Sequence, residues 1–201
     1  MKKVILPIVL LAFLGFGVME TGLTDAERKF AVKEMTKTHD HLLSVVEGLS
    51  EAQLNYKASE ASWSIAECVE HLAISENTFD QMFHGSLQTP ADPAKRAEVK
   101  MSDEQLLGLI TDRTNKVKTS EPFEPTGKFG SHAETLEAFV SKRKEHIAYM
   151  KDTQDDLRNH YGQLPFGTID AYQIMLFMSG HTERHVKQME EIMESPQWPS
   201  E

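Results

Sequence analysis

Ser64-Ile65-Ala66-Glu67-Cys68-Val69-Glu70-His71-Leu72-Ala73-Ile74-Ser75-Glu76-Asn77-Thr78-Phe79 is the stretch from which the fold is read. Ser64 and Glu67 have the spacing of a capping box, in which a hydroxyl and a carboxylate three residues apart satisfy each other's free backbone amides at a helix start. Behind that start Ile65, Val69, Leu72, Phe79 and Phe83 recur at helical spacing, so one face of the helix is apolar. The same start signature stands at Thr24/Glu27, Ser50/Gln53, Ser102/Gln105 and Ser131/Glu134. An apolar stripe follows each of them except the short one at Ser50.

The stripes are Val32, Met35, Leu42, Val46 and Leu49 in the first helix, and Leu106, Ile110 and Val117 in a shorter one. A longer helix carries Leu136, Phe139, Val140, Ile147, Met150 and Leu157, and the last carries Ile174, Phe177, Met178, Met189 and Ile192. Gly48 and Gly85 read as the stops of the first two long helices, and Pro196 ends the last. Stretches rich in helix breakers separate them at 87–101, 119–130 and 160–169, and no run of alternating β-branched residues is long enough for a core strand. Four long amphipathic helices bury their stripes most economically against one another. The expectation is an all-α four-helix bundle over 24–195, with extra short helices in the connections and a tail at 196–201.

The chain has 201 residues, with 21 Lys and Arg against 31 Asp and Glu, a net charge of −10. That balance excludes a nucleic-acid partner, because phosphate binding needs an excess of positive charge. The one cysteine, Cys68, can form neither an internal disulfide nor a Cys-rich zinc site. Met1-Lys2-Lys3 followed by an apolar run from Val4 to Met19 resembles an export signal, since a spanning helix needs roughly 20 apolar residues. Residues 1–19 are therefore read as a signal peptide or, alternatively, an uncleaved N-terminal membrane anchor. The expected location is the bacterial periplasm or cell envelope, with membrane contact only through that segment if it is retained.

Nine histidines are the compositional oddity. His181 and His185, four apart on the last helix, share one face with Phe177, Met178 and Gln188, which gives a metal two nitrogen ligands. A third ligand must come from another helix, and His71, beside the second stripe, is the best candidate. His39 and His146 also fall on apolar stripes and are reserves. Glu67 shares the face of His71 and is a candidate to hydrogen-bond an imidazole, although its capping role competes. Arg184 and Gln188 are further candidates to assist, with Arg184 equally suited to pairing with a neighbouring Glu. Trp63 reads as a staple on the first helical turn, with Cys68 as a candidate partner, rather than as a cofactor contact. His84, His132 and His160 fall at helix ends or in loops, and the ten methionines read as core filler.

Trp63-Ser64-Ile65-Ala66-Glu67, with Glu70-His71-Leu72 and Glu76 behind it, resembles the second-helix signature of the DinB-like superfamily. Ser179-Gly180-His181-Thr182-Glu183-Arg184-His185-Val186-Lys187-Gln188 resembles its last-helix signature, H-x-x-R-H-x-x-Q. Gly48-Leu49-Ser50-Glu51-Ala52-Gln53-Leu54 is similar to its link between the first two helices. The resemblance runs from Thr24 to Ser195. It implies a bundle holding one divalent transition metal, usually zinc or nickel, on His71, His181 and His185, with water or substrate in the remaining positions. It also implies a metal-dependent hydrolase or thiol-dependent transferase acting on a small molecule, and a homodimer. Export weakens the transferase reading, because low-molecular-weight thiols are scarce outside the cytoplasm. The alternative is a non-catalytic bundle of the envelope that binds a metal or small ligand.

Overall fold

The structure, a computed structural model, describes residues 22–200. The segment read as a signal or anchor, 1–19, lies outside the described residues. Among the described residues no helix is long and apolar enough to cross a membrane. The helices are α1 (Asp25–Val46), α2 (Glu51–Leu54), α3 (Ile65–Leu87), α4 (Asp103–Thr111), α5 (His132–Asp152) and α6 (Ala171–Met193). All five capping boxes form as the spacing predicts, and the Asp170 side chain caps α6 by accepting from the Gln173 amide at 2.7 Å.

The four long helices make a closed ring in which α1 packs on α5 and α6, and α3 packs on the same two. Cross-contacts give their directions. Thr38 lies beside Ser179 and His41 beside Glu183, so α1 and α6 run parallel. Glu76 meets Arg143 and Asp80 meets His146, so α3 and α5 are also parallel. α3 opposes α6, since His71 faces His185 while Phe79 faces Phe177. Parallel neighbours cannot be joined by a tight turn, and the chain spends residues 88–131 crossing from α3 back to the start of α5. The crossover contains α4, which lies against α6 at Gly180. A Cβ there would sit 3.3 Å from both Leu107 and Ile110, so the absent side chain is what lets the two helices approach.

Several sequence expectations need correction. Val117 is not part of α4 and is 77% exposed. The helix stops at the Asp112 cap, whose carboxylate accepts from the Thr114 amide and turns the chain away. Gly85 does not end α3, which continues to Leu87, because a single glycine costs a helix little when no breaker follows it at once. Leu157 lies beyond α5 but is fully buried. The 160–169 stretch holds a small antiparallel hairpin, β1 (Tyr161–Leu164) and β2 (Gly167–Asp170), turning at Pro165-Phe166. Its strands of four residues are too short to show an alternating pattern in the sequence. Beyond α6 the chain folds back, with Trp198 edge-on to Tyr56 at 5.6 Å.

The core is apolar at both ends and charged in the middle. Arg143 is fully buried and forks onto Glu76, with Nε and Nη2 at 2.6 and 2.8 Å from the two carboxylate oxygens. Its remaining donors reach Thr38 Oγ1 at 3.1 Å, Thr182 Oγ1 at 2.8 Å and the Met178 carbonyl at 3.2 Å. His146 joins Glu76 at 2.9 Å and Asp80 at 2.7 Å. One guanidinium thus collects partners from α1, α3 and α6.

Glu76→Gln removes the counter-charge and is expected to cost about 3–5 kcal/mol in urea unfolding. An unchanged midpoint would contradict this account. Burial alone would raise the Glu76 pKa, but Arg143 and His146 hold it down at about 2 against an ordinary 4.5. The unfolded chain therefore takes up this proton first as pH falls. The contribution of this carboxylate should be complete above pH 4.5 and be lost toward pH 2, and this acid-dependent loss should shrink in the Gln variant.

Candidate metal centre

α3 and α6 bring His71, His181 and His185 together, with one ring nitrogen from each within 4.8 Å of the others. The register follows from the helices: the four-residue spacing of His181 and His185 stacks them on one face of α6, and antiparallel α3 presents His71 opposite. His71 and His185 are buried and His181 is half-buried as a residue. Trp63 covers one side, its ring 4.9 Å from His71 and stacked at 6.1 Å on His185. Phe79 and Phe177 flank His181 on the other side, at 5.7 and 5.9 Å. Phe166, at the hairpin tip, lies 6.0 Å from Phe177.

The outer nitrogens fix the tautomers. His71 Nδ1 donates to the Phe123 carbonyl at 2.8 Å, so its Nε2 presents a lone pair. Phe123 belongs to the 3₁₀ turn Glu121–Phe123 in the crossover. Glu70 holds the following residues by accepting from the Thr126 and Lys128 amides, both at 3.0 Å. His185 Nδ1 donates to Gln188 Oε1 at 3.0 Å. That amide is oriented in turn by Arg113, which donates to the same oxygen at 3.3 Å and forks onto Glu191 at 2.6 and 2.8 Å. Two lone pairs therefore point inward with their outer protons already committed.

All three imidazoles are held uncharged. Burial is the main cause for each. For His181 the neighbouring His185 and His71, and then Arg184 and Arg143, push further in the same direction. For His185 it is His71, with Arg113 and Arg184. His71 is lowered less, because its bond to Phe123 favours the charged ring. The donors fit a metal. His71 Nε2 and His181 Nε2 are 3.2 Å apart, and two imidazoles on one tetrahedral ion, each at about 2.0–2.1 Å, stand about 3.3 Å apart.

The family model for the DinB superfamily matches residues 34–189. The chain belongs to the DinB superfamily. The uncharacterized protein YuaE of Bacillus subtilis (strain 168) is 30% identical over 152 residues, covering 74% of this chain and 88% of YuaE. Among solved structures, YfiT from Bacillus subtilis matches with a TM-score of 0.58 at 15% identity, over 88% of this chain and 91% of that one. YfiT is described as a probable metal-dependent hydrolase with an unusual four-helix bundle topology. At that identity the likeness carries the fold: this chain is a DinB four-helix bundle.

The other candidates are placed less centrally. Glu67 completes the α3 capping box and pairs with Lys57 at 2.6 Å, so its carboxylate is spent before it can reach an imidazole. Arg184 points away from the cluster and donates to the carbonyls of Ile110, Asp112 and Asn115, tying the crossover to α6. Gln188 does contact a cluster histidine. The reserves do not join: both nitrogens of His146 are taken by carboxylates, and His39 pairs with Asp40 at 2.8 Å. Trp63 packs against the apolar cluster that contains Ile65 and Cys68, and its indole also reaches the seventh helical residue and walls the histidines. Cys68 is fully buried, and burial raises its thiol pKa far above the ordinary range. The Phe123 carbonyl, Glu70 and Arg113 were not visible from spacing, because crossover loops carry no periodicity that points to their contacts.

In metal-free protein, His181 and His185 should stay neutral as acid converts ordinary histidines to imidazolium. Their ring resonances in a proton NMR titration should not move between about pH 7 and pH 5.5. The unfolded chain binds protons that these rings refuse, so stability falls as pH drops below the ordinary 6.5. A titration midpoint at the ordinary value would contradict the burial argument.

Proposed function

We propose that this DinB bundle is a metal-dependent hydrolase of small-molecule esters or amides, with one divalent transition metal held by His71, His181 and His185. The observation that carries the reading is the convergence of three uncharged imidazoles, two of them with outer protons fixed by Phe123 and Gln188. Zinc or nickel suits the all-imidazole set. With three neutral ligands and an open position, such an ion lowers the pKa of bound water and polarises a carbonyl.

The chain's own groups supply the rest. Phe123 and Gln188 hold the imidazole planes, and Glu70 and Arg113 hold those two in place. Trp63, Phe79 and Phe177 exclude bulk water from the buried side of the cluster, which strengthens electrostatic effects there. His181 is the least buried residue of the three, and substrate approach is assigned to its side. No carboxylate belongs to the candidate ligand set, so nothing in it neutralises the charge of the ion.

Elemental analysis of protein purified without a His tag should find about one transition metal per chain, lost in a His181→Ala/His185→Ala variant. Gln188→Ala should weaken metal binding by about 10–100-fold. Ester or amide turnover should vanish on chelation and return with the metal, in a panel that also includes thiol acceptors. No metal after incubation with zinc and nickel would overturn the reading. Metal binding without turnover across the panel would reduce it to a ligand-binding bundle.

A further inference from the structure

Ser75 lies on α3 one turn after His71 and one turn before Phe79. Both neighbours touch His181, with ring centroids at 5.0 and 5.7 Å. Residues four apart on a helix stand about 5–6 Å apart at Cβ. Ser75 therefore occupies the strip of α3 that faces His181, between the cluster and its aromatic wall. It is 1% exposed, and its Oγ has no hydrogen-bond partner.

Among the described residues it is one of five buried side-chain polar atoms left unpaired, and the one hydroxyl of them that lies on α3. Several helical hydroxyls elsewhere in the bundle fold back onto carbonyls of the preceding turn. Thr78 bonds Ile74 at 3.0 Å, Ser86 bonds Phe83 at 2.7 Å and Thr182 bonds Met178 at 3.1 Å. Ser75 makes no such bond. A buried hydroxyl left unpaired is destabilising, and the usual resolution is a partner from outside the protein chain. The surrounding rings cannot supply one: Phe79 and Phe177 are apolar, and an ion would occupy the inward nitrogens of the histidines.

We propose that the Ser75 hydroxyl hydrogen-bonds the oxygen, of water or of substrate, that completes the coordination of an ion on His71, His181 and His185. This rests on the metal reading above and adds a residue to it. A serine hydroxyl both donates and accepts. It can accept from a bound water and donate to the hydroxide or carbonyl oxygen that takes its place, favouring the more negative oxygen.

The test uses cobalt(II) as a coloured substitute ion in the purified protein and in Ser75→Ala. Both should bind cobalt, since no nitrogen ligand and no group that orients one is touched. The visible spectrum should change with pH as the bound water ionises, and its midpoint should rise by about one unit in the variant, the effect of losing one hydrogen bond to a charged oxygen. Metal-free Ser75→Ala should unfold at a temperature no lower than the parent, because the hydroxyl makes no bond within the chain. Identical pH midpoints would overturn the proposal. So would a metal-free variant that melts several degrees lower, which would reveal an internal partner. Failure of the parent protein to bind cobalt at all would instead overturn the metal reading beneath it.

Discussion

The buried fork between Arg143 and Glu76 is the interaction on which the arrangement of the bundle depends. Placing a guanidinium and a carboxylate in an apolar core is costly unless every donor and acceptor is met, and breaking such a pair costs more than its net worth. Here the donors are met by four partners, the Glu76 carboxylate, Thr38, Thr182 and the Met178 carbonyl, spread over three other helices. Sliding any of those helices by a turn would strand a charge or a donor. Apolar stripes alone tolerate such slips, because leucine against leucine is nearly the same one turn on. The charged centre thus sets the register that the hydrophobic surfaces leave loose.

That register also makes the candidate metal centre. Glu76 lies five residues after His71 on α3, and Met178 and Thr182 bracket His181 on α6. The contacts that hold Arg143 therefore place the three imidazoles across from one another. The two clusters then divide the electrostatics. Acidic groups meet the cation of the core, whereas the guanidinium groups of Arg113, Arg143 and Arg184 act through space on His181 and His185 and help keep them neutral. A site with neutral ligands and positive surroundings holds a dication less tightly than one with carboxylates would. It also leaves more of the ion's charge to act on whatever fills the open position.

Much of this was legible in the sequence because it is local. The five capping boxes are fixed by residues three apart, and each forms. The α6 pair, His181 and His185, is likewise fixed by helical geometry, and His71 stood out by its place beside the α3 stripe. Contacts that depend on the path of loops were not legible: Phe123 on His71 and Arg113 on Gln188 from the crossover, and Trp63, just before α3, over the rings. The hairpin was missed because Pro165 reads as a breaker until it is seen to be the turn itself. Arg143 was hidden for a different reason. A charged residue on a helix reads as surface, and only its distant partners show that it lies in the core.

The parallel pairing of α3 with α5 obliges the chain to travel the length of the bundle between them, and it does so past the histidines. The nitrogen donors are thus carried by rigid helices, while the segment that passes by them, 88–131, is a strap that the helices do not dictate. Divergence within such a fold has two separate dials. The strap can lengthen, shorten or change its side chains to admit different molecules, as long as it still delivers one carbonyl to His71 and one guanidinium to Gln188. The histidine cluster can stay constant meanwhile, because nothing in its helices has to move.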